Sequence, residues 1–200
     1  MSNNLMNPEI VLASTSRYRA ALLTQLGVPF SIFKGEIDES ALPGELPFQT
    51  CNRLAIAKAF EAARGLNGKY ALVIGSDKVL DYDGQAVSKP GGFDVAFSQL
   101  KRAQGRALVS YTALALVDTR SQRVWSDVVP TTVQYRNLPD AELISYLHRE
   151  KPYDCAGSVK VETAGIALLE RVSSDDPTAL VGLPLIRLTD FLREAGYAFA

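Results

Sequence analysis

Histidine occurs once in this 200-residue chain and cysteine twice, and its charges almost cancel. With 21 Lys+Arg against 22 Asp+Glu the net charge is −1. There is therefore no overall basic field to hold a nucleic acid by its backbone, and any phosphate recognition has to be local. No apolar run approaches the roughly 20 residues that a membrane-spanning helix needs. The opening Met1-Ser2-Asn3-Asn4-Leu5 lacks the charged and apolar regions of a secretory signal. Cys51 and Cys155 stand far apart with no CxxC pair. They read as reduced thiols of a cytoplasmic protein rather than as a disulfide or a zinc site. His148 lies in the polar stretch Leu147-His148-Arg149-Glu150, which points to a solvent-exposed role. A Ser-His-Asp triad would have to be built on it, and no nucleophile elbow appears.

Hydrophobic residues make up 47% of the chain, enough for a well-filled core in a single domain, with room for two lobes around a cleft. The apolar spacing predicts strands at residues 9–13, 30–33 and 70–74, a hairpin about Asp81-Tyr82-Asp83-Gly84, long strands at 107–117 and 124–135, and a strand at 166–170. Helices are predicted over 19–26, 48–64, 93–102, 139–148 and 185–194. Helices and strands alternate without an internal repeat, so the class is α/β with a mixed sheet.

Ser14-Thr15-Ser16-Arg17-Tyr18-Arg19 lies between the first strand and the first helix, with Ser16 placed as an N-cap. Cations in a first helical turn oppose the macrodipole. Exposed amides, serine hydroxyls and guanidinium groups make sense together around a bound anion, phosphate being the usual one. The alternative is a pair of solvated arginines on a surface turn. Asp77 follows a central strand behind Gly75-Ser76, a position from which an acid can reach a metal or polarise a water, or simply cap a turn. Glu36, Asp38 and Glu39 form an acidic cluster that a hard divalent cation would neutralise, unless it is merely solvated. Lys58, in mid-helix, and Lys89, after the hairpin, gain meaning collectively: with Arg19 they can converge on a polyphosphate.

These residues belong to blocks that occur in order along the whole chain. They are Leu12-Ala13-Ser14-Thr15-Ser16 with Arg19 and Leu22-Leu23; Ile37-Asp38-Glu39; Leu54-Ala55-x-x-Lys58-Ala59; and Gly75-Ser76-Asp77. Ser88-Lys89-Pro90, Cys155-Ala156-Gly157-Ser158 and Val181-Gly182-Leu183-Pro184 complete the set. No block is specific alone, but together they make the chain resemble the Maf nucleotide pyrophosphatases. The opening serines, Gly-Ser-Asp and Cys-Ala-Gly-Ser are most similar to the branch that hydrolyses 7-methyl-GTP. The other main branch acts on dTTP and UTP. The chain departs from the pattern at Arg17, where proline is frequent; at Ala20, where many relatives have a second arginine; and at Lys78, where the 7-methyl-GTP branch commonly has glutamine.

The resemblance implies one domain over residues 1–200, with a mixed twisted sheet, flanking helices and two lobes around a deep cleft, related to the inosine-triphosphate pyrophosphatases. It implies hydrolysis between the α and β phosphates, with Asp77 as proton acceptor. Ser14, Ser16, Arg19, Lys58 and Lys89 would bind phosphate, and Tyr18, Lys78 and Glu162 would govern substrate choice. A divalent cation, Mg²⁺ or Mn²⁺, would sit on Glu36, Asp38 and Asp77. The partner would be a small nucleotide, with no nucleic acid and no membrane, and a homodimer stays open. Two rival readings are the same reaction on dTTP or UTP, and a nucleotide-binding regulator of septum formation without turnover.

Overall fold

The computed structural model of the chain describes residues 8–199, so the reading of residues 1–5 lies outside the described residues. Its framework is a seven-stranded mixed sheet: β1 (Glu9–Leu12), β2 (Phe30–Ile32), β3 (Ala71–Tyr82), β4 (Gln85–Val87), β5 (Ala107–Asp118), β6 (Val124–Tyr135) and β7 (Leu169–Ser174). The spatial order is β2-β1-β3-β5-β6-β7, with β4 pairing on β3. β1 is parallel to both its neighbours, and the remaining pairs are antiparallel. The helices are α1 (Arg17–Gln25), α2 (Pro47–Gly65), α3 (Phe93–Ala103), α4 (Asp140–Glu150) and α5 (Leu185–Glu194). No described helix is long and apolar enough to cross a membrane.

Alternation along the strands divides the core. Leu72 and Ile74 join Ile10, Leu12, Leu114 and Leu116 beneath α1 and α5, which contribute Leu22, Leu23, Leu188 and Leu192. Val73, one residue out of phase, faces the other way with Val11, Ala113 and Val117, against Cys51, Ala55, Ala59 and Ala62 of α2. At the far end of the same long strands, Leu80, Tyr82, Leu108, Val133 and Tyr135 pack under α3 and α4. The polar Ser76, Asp77 and Lys78 fall between these cores.

One boundary differs in a way that matters for the site. The sequence reading ended a strand at Ile74 and put Asp77 beyond it, whereas β3 runs unbroken to Tyr82, paired with β5 from Leu72 to Asp81. The expected strand stops just before Gly75. A Cβ there would lie 2.1 Å from the Ala55 carbonyl oxygen and 2.8 Å from Ala59 N, so the glycine admits α2 to the strand instead of turning it. What does end is the neighbour. β1 stops at Leu12, with Ala13 N–H donating to Ile74 O at 2.8 Å, and β4 begins its pairing only at Leu80. Among the described residues, no strand pairs with that edge of β3 over residues 75–79.

The hairpin turns on Asp83 (φ 56°) and Gly84 (φ 81°), as the Asp-Gly signal required. β7 is the poorest match. It occupies Leu169–Ser174 after a 3-10 stretch at Ala164–Leu168, and its residues 170–173 are exposed, so it carries little apolar periodicity to read.

Candidate active site

Ser16 caps α1, its Oγ accepting from Arg19 N at 3.4 Å. Ser14 Oγ accepts from Ser16 N and from Arg19 Nη1, both at 3.2 Å. Arg19 Nε donates to Gly182 O at 2.8 Å, so this guanidinium is folded inward and held from two sides. Burial pushes its pKa down against the pull of Asp77 and Glu39, and arginine remains a cation regardless. Arg17 goes the other way. It is exposed, lies 4.9 Å above the Tyr18 ring centroid and donates to Tyr18 Oη at 2.9 Å.

On the α2 face of β3, Lys58 Nζ lies 2.6 Å from Asp77 Oδ1 and 2.6 Å from Glu39 Oε1. Gly75 lets α2 approach closely enough for this lysine, at the turn beyond Ala55, to reach the strand. Burial raises the Glu39 pKa, but the hydrogen bond and charge of Lys58, helped by Lys89 and Arg19, lower it overall. Lys89 itself is exposed just beyond β4. Beneath Asp77 lies a residue the sequence reading assigns no role: the Sγ of buried Cys51, with one proton to give, lies 3.2 Å from both Asp77 O and Tyr111 O. Burial, with the Asp77 charge, pushes that thiol up to about 12.

The acidic loop does not act as a unit. Glu36 is exposed, and Asp38 accepts from Ser40 N at 2.9 Å within its own loop. No group of three or more His, Cys, Asp or Glu side chains is placed to hold a metal ion among the described residues. The expected set of Glu36, Asp38 and Asp77 is therefore not assembled; Glu39 is the loop acid that joins Asp77. The loop is tied to α2 by Glu45, which receives Arg53 Nε at 2.7 Å, while Arg53 Nη2 donates to Ser40 O at 2.9 Å.

Lys78, one residue on, points to the opposite face. Its ammonium donates to Leu180 O at 2.9 Å; burial pushes its pKa down, and Glu162 acts against that through space. Lys78 shares a narrow pocket with Ala156, Val161 and Leu180. Glu162 is exposed at its approach. The larger cavity, of about 180 Å³, lies behind Leu80 between Tyr82, Gln99 and Arg102, and includes none of Asp77, Lys58 or Arg19.

The family model described as "Maf-like protein" matches residues 9–195. The chain belongs to the Maf family. It is 50% identical over 190 residues to a protein of Thiobacillus denitrificans named 7-methyl-GTP pyrophosphatase, an alignment covering 95% of this chain and 94% of the relative. Proteins of the same name from Burkholderia thailandensis (51% identical, covering 95% and 89%) and Paraburkholderia xenovorans (52%, covering 98% and 97%) are equally similar.

In this Maf chain the structure thus gathers Ser14, Ser16 and Arg19 at one end of the open β3 edge, and Lys58, Asp77 and Glu39 beside it. Lys78 lies on the opposite face with Glu162 near its approach, and Tyr18 is paired with Arg17. Sequence reasoning missed the Gly182 carbonyl, which accepts from both Arg19 Nε and Ser76 Oγ, the latter at 2.8 Å. A backbone acceptor carries no residue-type signal. The only hint was Gly182 itself, whose φ of 121° few other residues adopt.

Proposed function

We propose that the chain hydrolyses a nucleoside triphosphate between the α and β phosphates, with 7-methyl-GTP as its substrate, releasing 7-methyl-GMP and pyrophosphate. The observation that carries this reading is the Asp77–Lys58–Glu39 bridge set beside the inward-held Arg19. A binding module needs cations for phosphate; it does not need two carboxylates aimed at the same place. The names of the relatives supply the substrate.

In this mechanism Arg19, Ser14, Ser16 and Lys89 bind the triphosphate and meet the charge that builds on departing pyrophosphate. Asp77 orients the attacking water and accepts its proton as oxygen bonds to the α phosphorus and the bridging oxygen leaves with pyrophosphate. Lys58 holds the Asp77 and Glu39 carboxylates in place. Asp77 and Glu39 would be the residues to hold a divalent cation, Mg²⁺ or Mn²⁺, since hard ions of this kind typically take one or two carboxylates. Such an ion supplies charge neutralisation at the phosphates and acidifies water.

7-Methylguanine is cationic, which suits stacking on Tyr18 and a carboxylate, Glu162, at its Watson–Crick edge. Arg17 already covers the Tyr18 ring and competes for it. The free thiols Cys51 and Cys155 support a cytoplasmic setting.

The test is pyrophosphate release from 7-methyl-GTP, GTP, UTP and dTTP, each with and without Mg²⁺. Metal-dependent turnover with 7-methyl-GTP preferred is the expected result. Preference for UTP or dTTP would overturn the substrate, and binding without release would overturn the reaction.

A further inference from the structure

Asp176 is a carboxylate at 3% exposure that the hydrolytic reading leaves without a task. A buried charge persists only when its lone pairs are met. Oδ1 accepts from Thr178 N at 2.9 Å and lies 2.7 Å from Thr178 Oγ1, while Oδ2 accepts from Ile186 N at 2.8 Å and from Arg187 N at 3.4 Å. The carboxylate therefore also stands at the positive end of α5. Thr178 Oγ1 accepts in turn from Leu185 N at 2.8 Å and lies 2.8 Å from Leu183 O. It has a single proton, and the carboxylate is the stronger acceptor. Asp176 and Thr178 thus form a knot that closes the strap of residues 179–184 at both ends.

Capping α5 explains Oδ2. It does not explain why the strap turns its carbonyls inward onto the functional side chains. Gly182 O receives Arg19 Nε and Ser76 Oγ, both at 2.8 Å; Leu180 O receives Lys78 Nζ at 2.9 Å; Ala179 O receives Thr112 Oγ1 at 2.8 Å. Among the described residues Arg19 has just two side-chain acceptors, this carbonyl and Ser14 Oγ. Nη2 makes no hydrogen bond to them, which leaves it for a ligand.

We propose that Asp176 is a positioning residue for substrate phosphate: through Thr178 it holds the Gly182 carbonyl where that carbonyl aims the Arg19 guanidinium. The proposal rests on the reading of Arg19 as a phosphate ligand. The same strap receives Lys78 of β3 through Leu180 O at 2.9 Å, so one knot sets both the phosphate end and the base end of the site.

The test uses the full chain and two readouts, inorganic pyrophosphate affinity by calorimetry and steady-state kinetics with 7-methyl-GTP. Asp176→Asn and Thr178→Val are expected to weaken pyrophosphate binding and raise KM about tenfold, the scale of one charge-assisted hydrogen bond, with a smaller change in kcat. Thr178→Ser, which keeps the hydroxyl, should stay near wild type. Added to Arg19→Ala, Thr178→Val should cost less than about twofold more, because both act through one guanidinium. If Asp176→Asn does not fold, the Thr178 pair decides. Wild-type pyrophosphate affinity in folded strap variants, with Arg19→Ala impaired, overturns the strap alone. Defects that multiply with Arg19→Ala overturn it too, by showing a general structural role. Wild-type behaviour of Arg19→Ala removes the phosphate reading and the proposal with it.

Discussion

Lys58 Nζ lies 2.6 Å from Asp77 Oδ1, a contact between the middle of α2 and the middle of β3. It is possible because Gly75 has no side chain where α2 crosses the strand. The same ammonium holds Glu39, so the acidic loop, the helix and the strand meet at one charged atom.

Asp77→Asn should abolish turnover while nucleotide binding survives. The amide keeps the size of the side chain but loses the proton-accepting oxygen, and a general base typically contributes about 10²- to 10⁴-fold. Single-turnover hydrolysis measured beside nucleotide affinity separates the two effects. A wild-type rate would remove Asp77 from the chemistry.

Arg19→Ala and Lys89→Ala should lower kcat/KM at least about tenfold each, since a hydrogen bond to a charged group is worth about 1.5–3 kcal/mol. Arg17→Ala should cost little, because that guanidinium is exposed and committed to the Tyr18 ring. Equal, small losses in all three would mean the start of α1 is only solvated.

Lys78→Gln should enlarge the preference for 7-methyl-GTP over GTP, on the order of tenfold for removing one nearby positive charge at an effective dielectric of about 20. Glutamine keeps an N–H donor on the side of Leu180 O but carries no charge toward the cationic base. The ratio of kcat/KM values for the two nucleotides decides it. An unchanged ratio would show that Lys78 plays no part in base choice.

The anchor of the acidic loop should show in acid. Hydrogen bonding from Arg53 holds the half-buried Glu45 carboxyl down to about 2, from an ordinary value of 4.5. Such a group adds stability that is fully present above its unfolded value and is lost as pH falls through the folded one. The gap in urea midpoint between wild type and Arg53→Met should therefore stay constant from about pH 7 to 5 and shrink between about 4.5 and 2. A gap independent of pH throughout would show that Arg53 stabilises by packing alone.

Much of this molecule is determined by its local sequence. The run Ile10-Val11-Leu12 needs cover on both faces, and each of its residues is buried. Ser16 stands where a helix needs a side-chain acceptor, and Asp83-Gly84 stands where a two-residue hairpin needs positive φ. Those are short-range requirements, met or failed within a few residues, so composition and spacing reveal them. Only the tertiary structure decided that β3 continues through Gly75-Ser76-Asp77, because its hydrogen bonds there come from β5, more than thirty residues onward. Only the packing of α2 selected Glu39 over Glu36 and Asp38, since three neighbouring carboxylates look alike until one of them meets a lysine. The orientation of Arg19 depends on a carbonyl 163 residues away, and nothing in the type of a residue says where its backbone oxygen will point.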